Sequence, residues 1–274
     1  MRILITGANG VLGSYLVKFL KNLNYKVTTI GRRKVDFILE INNKEKLFKI
    51  IKKINPDCII NCAALTDVNF CERNFYKSYT ANALIVKSLV QSTFILKKKP
   101  HFIHISTDQL YSGLRKAKNE EKDVKLINNY ATTKYLGELE LNKYQKKTIL
   151  RTNFYGTSLN INRGSFSEFI VNKLKKGEKI FLASNIFFNP IKLSQLSEVI
   201  KNIIIKKIFG LYNIGGNKIY SKYKLGLHLA KCNNLKKNLI YKYKNNIRTN
   251  KRPCNTVMDN KKIKKKLSAE TFLK

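Results

Sequence analysis

Residues 2–13 read Arg2-Ile3-Leu4-Ile5-Thr6-Gly7-Ala8-Asn9-Gly10-Val11-Leu12-Gly13. The run before the glycines is short and apolar, the pattern of a parallel strand covered on both faces. Beyond them, Val11, Leu12, Tyr15, Leu16, Phe19 and Leu20 recur at helical spacing. A glycine turn between a strand and a helix is the context in which a chain cradles a dinucleotide. Gly7 makes the tight turn out of the strand, Gly10 lets backbone approach a pyrophosphate, and Gly13 lets the helix lie close to the sheet. The N–H groups and dipole at the helix start favour phosphate charge. Asn9, Val11 and Leu12 complete the cofactor-facing loop.

Further along, the same alternation repeats. Residues 26–30 read as a strand, 44–54 as a helix with Leu47, Ile50, Ile51 and Ile54 on one face, and 58–62 as a strand. A long helix is expected over about 75–97, a strand over His101–Ser106, a helix over about 129–145 and a strand over 148–152. Strand and helix in turn, with short connections, predict an α/β fold: a Rossmann-type doubly wound parallel sheet. Residues 1–152 then form the dinucleotide-binding domain. Residues 153–274 form a smaller, mainly substrate-binding region, with about 194–215 returning to the first domain as a helix and a strand. A second helix is expected over 166–176, and a short one around 259–267 before the end frays.

Composition excludes several classes. The chain has 274 residues, 43% of them hydrophobic, so a sizeable core is available. It has no apolar run long enough for a transmembrane helix, and its first residues lack the features of a signal peptide. The five cysteines are an odd number without a C-x-x-C pair. A disulfide scaffold and a zinc ribbon are therefore poor readings, and a reducing cytoplasm is expected. His101 and His104, three apart on a strand, face opposite sides and cannot chelate one metal, so no metal site is expected.

Charge is the outlier, with 54 Lys+Arg against 17 Asp+Glu, formally +37. Such a field attracts polyanions. Yet 45 of the basic residues are Lys and nine are Arg, while Asn and Ile reach 31 each. Lys, Asn and Ile rising together indicate pressure from an AT-rich genome, and nucleic-acid readers lean on Arg. No specific nucleic-acid partner is expected. A basic surface also suits a phosphorylated small substrate.

An NAD site usually has an acid after the second strand, to hold the ribose 2′-hydroxyl. Here that strand ends Ile30-Gly31-Arg32-Arg33-Lys34, and the next acid is Asp36. Arg32 can neutralise a 2′-phosphate instead, which favours NADPH while leaving NADH open. Asn61-Cys62-Ala63-Ala64, ending the strand at 58–62, offers small side chains for close backbone approach to the cofactor, with Cys62 as a small hydrophobe. Tyr130 and Lys134 lie four apart on a helix, so both point the same way. An ammonium near a phenol favours phenolate, lowering the Tyr pKa toward the working range. Tyr130 is then a general acid in reduction and a general base in oxidation. Thr107, at the carboxyl end of a strand, can hydrogen-bond the substrate oxygen.

In order and position these motifs resemble the extended short-chain dehydrogenases/reductases, and among them the dTDP-4-dehydrorhamnose reductase family. Thr6-Gly7-Ala8-Asn9-Gly10-Val11-Leu12-Gly13 is similar to T-G-x-x-G-x-x-G. Residues Ile59–Val68 resemble V-N-A-A-A-Y-T-x-V. Ser106-Thr107-Asp108 with Tyr111-Ser112-Gly113 resembles S-T-D-Y-V-F-D-G, and Leu150–Gly156 resembles L-R-T-S-W-V-Y-G. Arg252-Pro253 with Met258-Asp259-Asn260-Lys261 resembles the closing R-P-x-x-S-x-L-D-x-x-K. The resemblance implies Thr107, Tyr130 and Lys134 as the catalytic trio. It implies Gly7, Gly10, Gly13, Arg32, Asn61, Ala63, Asn82 and Lys134 around the cofactor, and Asp108, Asn153, Phe154 and Arg252 toward the substrate. It also implies NADPH-dependent reduction of the C4 keto group of a nucleotide-linked deoxysugar, for cell-surface polysaccharide precursors. No membrane partner is expected, and a homodimer is compatible.

Departures fall on the substrate side. Asn153-Phe154 stands for the family's Ser-Trp, and Ser184–Ile191 keeps only the proline of D-Q-x-G-x-P-T. Two rivals share the early motifs. A 4,6-dehydratase needs an acid where this chain has Gln109, so dehydration is disfavoured. An NAD-dependent sugar-nucleotide epimerase is the alternative enzyme, though such chains usually run longer. A non-catalytic nucleotide-binding regulatory subunit is the alternative outside enzymes, and it commonly lacks the Tyr or Lys that are present here.

Overall fold

A computed structural model describes residues 1–39, 43–112, 117–120, 124–159, 164–245 and 252–267. In chain order its elements are β1 (Arg2–Thr6), α1 (Val11–Asn22), β2 (Lys26–Gly31), β3 (Phe37–Ile38), α2 (Lys44–Ile54), β4 (Cys58–Asn61), α3 (Val68–Arg73), α4 (Phe75–Tyr79) and α5 (Ile85–Thr93). Then come β5 (His101–Ile105), α6 (Asn129–Leu139), β6 (Lys147–Thr152), β7 (Phe154–Tyr155), α7 (Phe166–Lys175), β8 (Ile180–Ala183), β9 (Phe187–Phe188) and β10 (Ile191–Lys192). The last are α8 (Leu193–Lys206), β11 (Gly210–Ile214), β12 (Tyr220–Ser221), α9 (Lys222–Cys232), β13 (Ile240–Tyr243) and α10 (Lys261–Lys264).

Seven strands form one parallel sheet in the order β11-β6-β5-β4-β1-β2-β3. The chain runs outward from β1 to β3, then crosses back to β4 on the other side of β1. That reversal opens a crevice at the carboxyl ends of β1 and β4, where open α/β sheets bind ligands. The sequence of each central strand feeds both faces. Ile3, Ile5, Cys58, Ile60, Ile103 and Ile105 point into one core layer with Leu12, Leu16 and Leu20 of α1 and Val199, Ile200 and Ile203 of α8. Leu4, Ile59 and Phe102, alternating with them, join Leu47 and Ile51 of α2 and Val86 and Leu89 of α5 in the opposite layer. Each fully buried Leu or Ile contributes about 1.5–3 kcal/mol through removal from water.

The C-terminal region has a smaller core of its own. Ile170 and Leu174 of α7, Leu225 and Leu229 of α9, Ile180 and Leu182 of β8 and Ile240 of β13 pack together. Here β8 and β13 pair in parallel, β9 pairs antiparallel with β12, and β10 pairs in parallel with β7. Residues 193–214 leave this region: α8 packs on the main core and β11 completes the edge of the large sheet. Ile263 of α10 and Leu267 also join the main core.

Several boundaries differ from the sequence expectation. The helix expected over 75–97 is α4, a π-helical turn over Thr80–Leu84 and then α5. It ends early because the Lys99 ammonium donates to the carbonyls of Thr93, Phe94 and Leu96. The helix expected to 145 stops at Leu139, after which turns bring Leu141 and Tyr144 into the core. The two-residue β3 was not anticipated; it pairs through Ile30↔Phe37 and Gly31↔Ile38. The expected fraying at the C-terminal end, and Gly113 of the quoted motif, lie outside the described residues.

Candidate active site

The glycine turn has the conformation its sequence requires. Gly7 has φ +69°, and a Cβ there would lie 2.5 Å from the Ala63 nitrogen. A Cβ at Gly13 would lie 2.2 Å from the Gly7 carbonyl oxygen. The start of α1 is thus pressed onto the turn, and the turn onto Cys62-Ala63. Gly10 is the N-cap of α1 and gives it no side-chain cap, so the first N–H groups of the helix are left for an anion. A backbone cradle that any side chain would fill, at a helix start without a cap, fits a dinucleotide pyrophosphate.

The rim of this cradle comes from β2. The Asn9 side chain donates to the Arg33 carbonyl (2.6 Å), tying the glycine loop to the end of that strand. Arg32 and Arg33 are exposed there. The Asp36 carboxylate accepts from the Thr29 N–H and hydroxyl, each at 2.8 Å. The acid nearest the ribose position is therefore turned back onto its own strand.

Asn61 and Asn82 are engaged within the protein. Both are fully buried. The Asn61 amide accepts from the Thr6 hydroxyl (2.6 Å) and the Ala63 N–H (3.2 Å), and its nitrogen meets His104 Nδ1 (3.0 Å). Asn82, in the π turn, bonds both backbone groups of Leu65 and the Thr133 hydroxyl. Each shapes the Cys62–Leu65 segment, whose Cys62-Ala63 backbone meets the Gly7 turn. Burial pushes the Cys62 thiol up to about 12, as befits an unreactive packing group.

The catalytic candidates lie together at the carboxyl end of β5. Past β5 the chain runs through Ser106 to Thr107, whose hydroxyl caps a 3-10 turn by accepting from the Gln109 N–H (3.1 Å). The α6 helix begins at Asn128, whose side chain accepts from the Ala131 N–H (2.8 Å). That start puts Tyr130 and Lys134 on the buried face, 8% and 2% exposed. The Thr107 hydroxyl lies beside the Tyr130 phenol, and the Lys134 ammonium donates to the Ile105 carbonyl (2.7 Å).

One electrostatic expectation is corrected. Burial dominates at Tyr130 and raises its phenol well above the usual 10; the Thr107 hydroxyl opposes this, while Asp108 and Cys71 add to it. Lys134 does not pull the phenol down, because its ammonium is aimed at Ile105 and burial lowers its own pKa to about 8, against the nearby Glu138 charge. Tyr130 thus carries its proton at neutral pH, the form a general acid needs.

On the other side of Thr107, Asp108 is 2% exposed and joins three segments. Its Oδ2 accepts from Asn153 Nδ2 (2.8 Å) after β6 and from the Thr256 hydroxyl (2.6 Å) near the C-terminal end. Burial raises the Asp108 pKa, and these bonds oppose the rise. Phe154 is half-buried against the main core, on β7. Arg252 reaches Asn69 Oδ1 (3.1 Å) on α3 across the mouth. Lys222, the first residue of α9, feels both the Arg252 cation and the Asp108 carboxylate, and its pKa is lowered mainly by burial.

Thr256, Lys222, Glu138 and Arg151 were not singled out from sequence. Glu138 had a usable signal: it continues the Tyr130, Lys134 spacing by one more turn. Arg151 stood inside a quoted motif without a role. Among the described residues, no group of three or more His, Cys, Asp or Glu is placed to hold a metal ion, and no helix is long and apolar enough to cross a membrane.

A doubly wound parallel sheet, a glycine cradle and a Tyr/Lys/Thr site at its carboxyl edge define an NAD(P)-dependent oxidoreductase of the extended short-chain dehydrogenase/reductase type. The comparisons agree. The family model described as RmlD substrate binding domain matches residues 1–272, and the chain belongs to that family. The dTDP-4-dehydrorhamnose reductase of Aggregatibacter actinomycetemcomitans is 29% identical over 235 residues, covering 81% of this chain and 76% of that protein. A solved structure of a hypothetical dTDP-4-dehydrorhamnose reductase from Sulfolobus tokodaii superposes with a TM-score of 0.85 at 28% identity, over 98% of this chain and 95% of the other. The Bacillus anthracis dTDP-4-dehydrorhamnose reductase, solved in complex with NADP, shares the fold with a TM-score of 0.85 at 23% identity, over 97% and 92% of the two chains.

Proposed function

We propose that this protein reduces the C4 keto group of a nucleotide-linked deoxysugar, using NADPH. The observation that carries the reading is the meeting of Thr107, Tyr130 and Lys134 beside the glycine cradle. The names of the reductase relatives agree with it. Gly7, Asn9, Gly10, Val11, Leu12 and Gly13 would hold the pyrophosphate, and Cys62, Ala63 and Ala64 the adenosine side. NADPH over NADH is favoured because Arg32 is exposed at the rim while Asp36 is spent on Thr29. When bound, the dinucleotide supplies the hydride.

The chain's own residues do the rest. Tyr130 holds a proton at its hydroxyl and delivers it to the oxygen of the reduced carbonyl. Thr107, beside the same phenol, orients that oxygen. Lys134 places positive charge beneath the site. Lys222 and Arg252 face the diphosphate of the substrate, and Asp108 and Asn153 flank the sugar. Gln109 cannot trade protons as a carboxylate does, which counts against dehydration.

The test is purified protein mixed with NADPH and dTDP-4-dehydrorhamnose. Consumption of NADPH with formation of the C4 alcohol is expected. Cofactor bound but not consumed across a panel of 4-keto sugar nucleotides would instead favour a regulatory subunit.

A further inference from the structure

Beneath the Tyr130–Lys134 face lies a buried ionic cluster that none of the steps above uses. Glu138 sits one turn beyond Lys134 on α6, so the three side chains share a helix face. Its carboxylate accepts from the Ser106 hydroxyl (2.5 Å), from Arg151 Nε (3.0 Å to Oε1) and from Arg151 Nη2 (2.7 Å to Oε2). Arg151, on β6, gives Nη1 to the Tyr111 hydroxyl and the Glu120 carbonyl, each at 3.0 Å. The Tyr111 hydroxyl in turn donates to Asn213 Oδ1 on β11 (2.7 Å). The Arg151 and Glu138 side chains are only 3% and 5% exposed. Apolar residues of similar volume often serve stability as well as such a pair, so a second role is worth seeking. Its position supplies one. Ser106 immediately precedes Thr107, and Lys134 is the next charged side chain on the same face of the helix.

We infer that Glu138 is a positioning residue for the catalytic pair: through Ser106 it fixes α6 against the end of β5, and it sets a carboxylate one helix turn from the Lys134 ammonium. The inference rests on the role proposed for Lys134. The other groups around that ammonium do not replace Glu138. Tyr130 keeps its proton, Cys62 is pushed up to about 12 and His104 is held neutral by burial. Asp108, on the 3-10 turn, is engaged by Asn153 and Thr256. Glu72 of α3 accepts from the Asn129 N–H at the start of α6. Arg73, Lys77 and Lys87, on α3, α4 and α5, are exposed. Arg151 lies behind Glu138 and offsets part of its charge.

The test titrates Lys134 by NMR of ¹³C-labelled lysine in the cofactor-free protein, its signal assigned by its loss in Lys134→Met. In Glu138→Gln the midpoint should fall by about one unit or more, since a charge at this range shifts a pKa by about 1–3. In Arg151→Met, which leaves the carboxylate unopposed, the midpoint should rise. The alkaline limb of kcat should move the same way in each. A role in packing alone would not move the two in opposite directions. An unmoved midpoint in Glu138→Gln overturns the inference; should that variant not fold, an unmoved or falling midpoint in Arg151→Met does so. The titration needs neither cofactor nor sugar, so it stands or falls apart from the substrate reading.

Discussion

The two sides of the crevice are built from opposite materials. The side proposed for the cofactor presents backbone and small groups: the Gly7 turn, the uncapped start of α1 and the Ala63-Ala64 segment. Among the polar side chains beneath it, Thr6 bonds Asn61, Asn61 meets His104 Nδ1, and Asn82 bonds the Leu65 backbone. The side proposed for the substrate is made of side chains. Asp108 joins Asn153 and Thr256, while Lys222 and Arg252 bring charge to the mouth. A wall of backbone reads shape and tolerates substitutions that stay small. A wall of side chains reads chemistry and changes with each residue. The departure from the family pattern at Asn153 falls on the side-chain wall.

Substitutions can break this contrast. Tyr130→Phe, at the junction of the two sides, should cut turnover about 10²–10⁴-fold and leave cofactor affinity unchanged by titration, since a positioned general acid is worth that much. Gly13→Ala should damage the cofactor side through bulk alone. Its Cβ would sit 2.2 Å from the Gly7 oxygen, so a loss of about 1–3 kcal/mol in thermal unfolding is expected, together with weaker dinucleotide binding. Asp108→Ala should cost a similar or smaller amount, about 1–3 kcal/mol, by leaving the Asn153 and Thr256 groups unpaired. It should raise KM for the sugar nucleotide and leave that for the dinucleotide unchanged. Arg32→Ala should raise KM for NADPH about tenfold, the equivalent of about 1.4 kcal/mol, with little change for NADH. Equal losses for both would remove the 2′-phosphate argument.

The pH dependence sharpens the contrast further. Burial brings Lys134 to about 8 from 10.5. Its positive charge is therefore present below about pH 8 and lost as pH rises through that value, so kcat should decline on the alkaline side. Stability should respond in the other direction. Between about 8 and 10.5 the unfolded chain binds this proton and the folded one does not, so the Lys134 contribution to unfolding free energy rises with pH. His101 acts at the other end. Burial lowers it from 6.5 to about 4, so stability should fall as pH drops below 6.5 and level off below about 4. Denaturant titrations across pH would show both limbs.

The legible parts were those with local signals. The unbroken apolar run Ile3-Leu4-Ile5 and the helical spacing of Leu12, Leu16 and Leu20 placed the sheet and its flanking helices. The four-residue step from Tyr130 to Lys134 placed the reactive face. What escaped depended on distance along the chain or on competition within the fold. The Asp108–Thr256 bond joins residues 148 apart, and no local pattern announces it. Lys222 approaches the site only because β12 pairs with β9 and the 254–256 segment follows. The direction of the Tyr130 shift escaped because desolvation, which depends on the packed fold, outweighs a neighbouring charge. Asn61 and Asn82 were in the right place, but whether an amide faces a ligand or its own backbone cannot be read from spacing.

The central claim is that a hydride reaches C4 of the sugar while Tyr130 protonates its oxygen. The most direct measurement uses dinucleotide deuterated at the nicotinamide C4 and locates the label in the product by NMR. Deuterium bound at C4 of the sugar, with its appearance slowed by the Tyr130→Phe substitution, is the predicted result. Label at another carbon, no label in the product, or transfer at an undiminished rate without the phenol would contradict it.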